Sequence, residues 1–172
     1  MISNKRDKEW DLYFLRIAKA VGENSKCLSR RIGAIIVRDK LILSSGYNGP
    51  PVGYIHCGEK IKKGETVQCP RRRLGYPSGQ GLEICPAVHA ERNTVLAAAK
   101  NGTATDGATL YCYCGFPCKD CLIEIINAGI KEIVCIKEIG RPFLYDGLSE
   151  EIFRYYEKLG LLHTYFYSEE EV

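Results

Sequence analysis

Residues 88–136 read VHAERNTVLAAAKNGTATDGATLYCYCGFPCKDCLIEIINAGIKEIVCI, and the alternation within them decides the fold. The span 88–100 predicts a helix, with Asn101-Gly102 as its stop signal. Residues 108–114 read as a strand. Pro117 suits the first position of a following helix, which runs through Ile125 and Ile126 to Gly129. The apolar run 133–136 predicts a buried strand. Helix, strand, helix, strand in this order favours a sheet with helices packed on both faces.

The flanks extend the same pattern. Residues 8–22 put Trp10, Tyr13, Phe14, Ile17 and Val21 at helical spacing, so one face is apolar. Short runs at 32–37 and 41–44, joined through Arg38-Asp39-Lys40, predict a hairpin that makes the sheet mixed. After a loop at 138–148, residues 149–159 form an amphipathic helix with Ser149 as N-cap. Residues 161–167 supply a last strand, and the acidic tail from Ser168 is expected to fray. The prediction is one three-layer α/β/α domain over 1–172, built on a mixed five-stranded sheet. A long insertion at about 46–86, rich in Gly, Pro, Lys and Arg, interrupts it. Loops of that length inside a compact domain are usually functional or pinned by metal.

Composition narrows the function. A chain of 172 residues can bury a core without staples, and a net charge of +3 is too small to argue for nucleic acid. No apolar run reaches the length of a membrane span, and residues 1–15 lack the apolar core of a signal peptide. A cytoplasmic protein without membrane contact is expected. Nine cysteines, an odd number, fit metal binding and reduced core thiols better than a disulfide framework.

Two fragments carry the chemistry: His89-Ala90-Glu91 and Pro117-Cys118-Lys119-Asp120-Cys121. Cys-x-x-Cys alone could equally be a redox pair, and a lone histidine is more often structural. Together they match H-x-E…P-C-x-x-C, the signature of zinc nucleobase deaminases. His89, Cys118 and Cys121 supply one nitrogen and two sulfurs, leaving the fourth tetrahedral position for water. Glu91, two residues beyond His89, is placed to move protons rather than to ligate.

With these motifs the chain resembles the deoxycytidylate (dCMP) deaminase family of the cytidine deaminase superfamily. The resemblance runs from about Ser25 to Ile136, and the stretch Gly46-Tyr47-Asn48-Gly49-Pro50-Pro51-Val52-Gly53 points to that family in particular. It implies a cytidine-deaminase-like fold and hydrolysis of dCMP to dUMP and ammonia. It further implies a homo-oligomer, in many members a hexamer, with dCTP and dTTP as effectors together with Mg²⁺. Asn48 then looks like a substrate-side amide, although Asn-Gly is also a common turn pair. Two departures stand out. Cys112-Tyr113-Cys114-Gly115-Phe116 is one residue longer than the family pattern, and Arg141-Pro142-Phe143 matches no family motif.

Some family members hold a second, structural zinc, and Cys27 and Cys57 resemble two of its ligands. Cys69 and Cys85 complete a four-thiolate set, with His56 as a substitute ligand; the alternative is four unligated thiols. Cys135, among Ile133, Val134 and Ile136, reads as a core residue. Arg71-Arg72-Arg73 is either a solvated face or a phosphate contact, and Arg30 and Arg31 carry the same ambiguity. Arg31 and Asn48 are taken as the substrate-binding candidates. Alternative functions are deamination of another cytosine or purine compound, RNA included, or zinc binding without turnover.

Overall fold

The computed structural model describes residues 6–61, 64–77, 80–137 and 147–172. Arg141, Pro142 and Phe143 lie outside them. Helix α1 (Lys8–Gly22) leads into the hairpin β1 (Gly33–Arg38) and β2 (Leu41–Tyr47). A short helix α2 (Pro70–Arg73) and a 3₁₀ turn (Leu82–Ile84) follow inside the insertion. Then come α3 (Ala90–Lys100), β3 (Thr109–Cys112), α4 (Lys119–Asn127), β4 (Glu132–Ile136), α5 (Gly147–Lys158) and β5 (His163–Tyr167). The expected mixed five-stranded sheet is present, in the order β2-β1-β3-β4-β5. β1 pairs antiparallel with β2 and β3, whereas β3-β4 and β4-β5 are parallel.

Side chains alternate across the sheet, so the three central strands β1, β3 and β4 feed two cores. Ile35, Val37, Tyr111, Val134 and Ile136 meet Phe14, Leu15 and Ala18 of α1. Ala34, Ile36, Leu110, Cys112, Ile133 and Cys135 face the other way, toward Ala90 of α3, Leu122 and Ile125 of α4 and Phe153 of α5. The hairpin turns on Asp39 and Lys40, both at positive φ (53° and 62°). That is the two-residue geometry whose twist matches paired strands.

The structure shifts several expected details. Tyr13 of the predicted stripe is exposed, while Asp11 is buried. Arg6 reaches Asp11 with two nitrogens (2.6 and 2.9 Å), and the Tyr111 and Tyr167 hydroxyls donate to it at 2.9 and 2.7 Å. A charge that accepts four hydrogen bonds from three such partners can be buried on an otherwise apolar face. β2 continues through Tyr47, so the loop begins later than 46. Pro117 precedes the N-cap Cys118 rather than opening α4. Ser149 lies inside α5, and its hydroxyl donates to the Pro117 carbonyl at 3.0 Å. The tail, expected to fray, is folded back on α1: Glu171 pairs with Lys8 at 2.6 Å, and the Val172 carbonyl accepts from Arg16 at 3.2 Å.

Arg6 also spans to Glu132 at 2.7 Å, and Thr109 donates to the same carboxylate. Partial burial pushes the Glu132 pKa up, but these donors outweigh it and hold the group below its ordinary value. The lowered folded-state pKa fixes the sign: the contribution is present above about pH 5 and fades as pH falls through the folded value. The melting-temperature gap between wild type and Glu132→Gln should therefore be largest near neutrality and shrink as the pH is lowered into the acid range. Circular dichroism melts across that range test this, and a gap independent of pH would refute it.

Candidate functional site

Packing of α3 on the hairpin builds the site. The Ser44 hydroxyl donates to the Thr94 carbonyl at 3.0 Å, and Asn93 Nδ2 donates to the Tyr47 carbonyl at 2.8 Å. Gly46 lies directly beneath this helix, for a Cβ there would stand 2.6 Å from the Thr94 nitrogen. Gly49 and Val88 exchange backbone hydrogen bonds of 3.1 and 2.8 Å, which fixes the chain just before His89. Helix α3 consequently starts at Ala90, with Val88 drawn out of it.

His89 is the N-cap of α3 and Cys118 the N-cap of α4, and neither side chain caps its own helix. Both side chains are instead turned toward each other. Cys121 follows in the first turn of α4. His89 Nδ1 stands 3.5 Å from the Cys118 sulfur and 3.4 Å from the Cys121 sulfur. The three ligand atoms lie within 4.8 Å of one another. With Zn–S near 2.3 Å and Zn–N near 2.0–2.1 Å, two ligands of a tetrahedral zinc sit about 3.6 Å apart. The three residues fit zinc on spacing as well as on donor type.

The electrostatics agree. Hydrogen bonds from Cys121 and then His89 lower the Cys118 thiol to about 4, and Cys121, which keeps the proton, is raised. The pair thus holds a thiolate, the form that binds metal. The Cys118 hydrogen bond raises the His89 pKa against the effect of burial. Glu91 is buried, and desolvation raises its pKa, while the neighbouring imidazole pulls it down. Its carboxylate groups with the Cys112 and Cys114 sulfurs, all within 4.8 Å.

A cavity of about 480 Å³ opens beside the three ligands, with Arg92 and Lys119 on its rim and Leu82, Glu83 and Cys85 of the insertion as a wall. Arg92 is anchored to Glu124 at 2.9 Å. The cysteines 27, 57, 69 and 85 converge on a second, smaller cavity of about 30 Å³, which His56 does not line. Burial, then the nearby sulfurs of Cys69, Cys27 and Cys85, raise the Cys57 thiol to about 11. Cys85 and Ala87 line both cavities.

Other candidates land differently. The buried Asn48 accepts from the Ile32 nitrogen at 2.9 Å and donates to the Arg30 carbonyl at 3.0 Å, clamping the 30–32 backbone. Arg31 is exposed, whereas it is Arg30 whose charge acts on Glu91. Arg71 is neither solvated nor available to phosphate. It is buried and donates to the carbonyls of Gln80 and, at 2.8 Å, Pro77.

Residues 8–137 match the family model for the cytidine and deoxycytidylate deaminase zinc-binding region. A deoxycytidylate deaminase of Mycobacterium phage D29 is 37% identical over 135 residues, spanning 76% of this chain and 96% of that protein. One from Schizosaccharomyces pombe is 36% identical over 132 residues, 76% of this chain but only 38% of the yeast protein. The fold is similar to the crystal structure of dCMP deaminase from cyanophage S-TIM5 in complex with dCMP and dUMP. That likeness has a TM-score of 0.66 at 24% identity, covering 95% of this chain and all of the other.

Proposed function

This chain belongs to the cytidine and deoxycytidylate deaminase zinc-binding family, and from that membership we propose that it hydrolyses dCMP to dUMP and ammonia. Residues 1–172 act as one deaminase domain. The observation that carries the reading is the His89, Cys118 and Cys121 triad at zinc spacing, with an acid two residues along the same helix end. When bound by these three residues, zinc supplies a Lewis acid that makes water a usable nucleophile near neutral pH. Glu91 takes the water proton, delivers it to N3 of the cytosine ring and then helps protonate the departing amine at C4. Burial keeps its carboxylate out of bulk water, which favours transfer to the base rather than to solvent.

Substrate choice rests on the relatives' names and on the loop held by Asn48. Asn48 acts on the substrate through its remaining amide hydrogen and by fixing Arg30 and Arg31, with Arg31 offered to the 5′-phosphate. The family resemblance extends the proposal to a homo-oligomer, in the hexameric form many members take, regulated by dCTP and dTTP with Mg²⁺. Among the described residues no helix is long and apolar enough to cross a membrane.

Purified protein is offered dCMP, CMP, deoxycytidine, dCTP and cytosine-containing RNA while ammonia release is followed. Turnover on dCMP above the others supports the reading, and turnover on RNA or the nucleoside alone sinks it. Repeating the dCMP assay with dCTP or dTTP and Mg²⁺ tests the regulation.

A second zinc held by Cys27, Cys57, Cys69 and Cys85 belongs to the same proposal. Its support is that the four cysteines line one small cavity and that, among the described residues, the loop around it has little other regular structure; their ligand atoms are not drawn together as closely as those of His89, Cys118 and Cys121, so the ion would close the set. Metal analysis should return two zincs per chain, falling to one in Cys57→Ser/Cys69→Ser with the catalytic zinc retained. One zinc in the wild type would refute it.

A further inference from the structure

If the two zinc sites take six cysteines, three are left: Cys112, Cys114 and Cys135. Cys112 ends β3 and is fully buried, while Cys114 lies beyond the strand and is partly exposed. The Cys112 thiol donates to the Cys114 sulfur at 3.7 Å, and the Cys114 thiol donates to the Gly115 carbonyl at 3.3 Å. Both sulfurs stand within 4.8 Å of the Glu91 carboxylate. Neither thiol has a part in the proton transfers above. Three features of a dithiol switch thus occur together: close sulfurs, one of them on a partly exposed residue, and a catalytic group beside them.

We propose that Cys112 and Cys114 form a reversible disulfide that turns the adjacent site off. The oxidant is a low-molecular-weight disulfide. The Cys114 thiolate attacks one of its sulfurs, expelling the first small thiolate and leaving a mixed disulfide on Cys114. The Cys112 sulfur then attacks the Cys114 sulfur and expels the second. The two protein thiols lose their protons and two electrons; the small disulfide gains both electrons and leaves as two thiols.

Closing the bond brings sulfurs 3.7 Å apart to about 2.05 Å. Cys112 cannot supply much of that movement, because its strand is paired on both sides, with Ala34 and with Cys135. Cys114 is held too, its carbonyl accepting from the Ile136 nitrogen at 2.9 Å, so closing the bond strains residues 114–116, the segment that leads into Pro117 and the ligand Cys118. Misplacement of about 1 Å around reacting groups can cost roughly a hundredfold in rate, so turnover should fall by about tenfold or more. Bound zinc would protect Cys118 and Cys121, and Cys135 is fully buried.

The full-length, zinc-loaded protein is incubated with glutathione disulfide, then followed by peptide mapping, zinc analysis and dCMP turnover. A Cys112–Cys114 crosslink with zinc retained, turnover lost and both reversed by dithiothreitol is the expected result. Cys114→Ser should be active under reducing conditions and insensitive to the oxidant. The turnover arm rests on the proposed deamination, whereas the crosslink is read by mass, so the two ideas fail separately. Absence of the crosslink, or oxidation of Cys118 with Cys121 and loss of zinc, overturns the proposal. Equal sensitivity of Cys114→Ser overturns it as well. Should that variant fold poorly, mapping of the wild type decides.

Discussion

Replacing Glu91 with Gln is expected to lower kcat for dCMP by about 10²–10⁴, toward the upper end because one carboxylate serves several proton transfers. The amide keeps the size of the side chain and cannot carry a proton between water and ring. Zinc should stay, since the ligand cluster consists of His89, Cys118 and Cys121. Stability should hold or rise. Desolvation raises the Glu91 pKa in the folded protein, which means the fold disfavours its charge, and Gln has none. Steady-state turnover, zinc analysis and a thermal melt on the same preparation separate these effects. Near-normal kcat would remove the shuttle role, and loss of zinc would make Glu91 a ligand.

Much of this site is legible along the chain because its residues act through local geometry. His89 and Cys118 sit at helix N-caps without capping, so the short spacings H-x-E and P-C-x-x-C, rather than helix-start signals, mark them in the sequence. The element order and the mixed sheet follow from periodicity in the same way. What escapes the sequence depends on partners far away along it. Asp11 sits in an apolar stripe and is stabilised by Tyr111 and Tyr167, 100 and 156 residues distant. The one available signal was a carboxylate interrupting that stripe. Asn48 gives its amide oxygen and one amide hydrogen to the backbone at Ile32 and Arg30, because a buried amide bonds to unpaired groups that folding brings near it. Arg71 follows the same rule with Pro77 and Gln80. Nor does any local pattern place Cys112 and Cys114 beside Glu91; the strand order does.

The scaffold has its own sensitive point, where β1 meets α1. Gly33→Ala should lower the melting temperature by roughly 6–12 °C, corresponding to about 3 kcal/mol in a domain of this size. A Cβ at Gly33 would stand 2.1 Å from the Ala18 carbonyl oxygen, 2.3 Å from the Gly22 nitrogen and 2.8 Å from the Gly22 Cα. All three are backbone atoms, so no rotamer change relieves the overlap. Relief requires the C-terminal turn of α1 to lift away from β1. That turn carries Ala18, packed with Phe14 and Leu15 against Ile35 and Val37, so lifting it opens the core. It also shifts the start of β1, whose Gly33 pairs with Tyr47 just before Asn48. The injury should therefore reach the loop that anchors His89, and turnover should drop along with stability. Gly49→Ala is the control: its nearest neighbours would be side-chain carbons at 3.7 Å, an ordinary contact, and a melting temperature close to wild type is expected. Equal melting temperatures for the two variants would show that α1 and β1 part more easily than this packing allows.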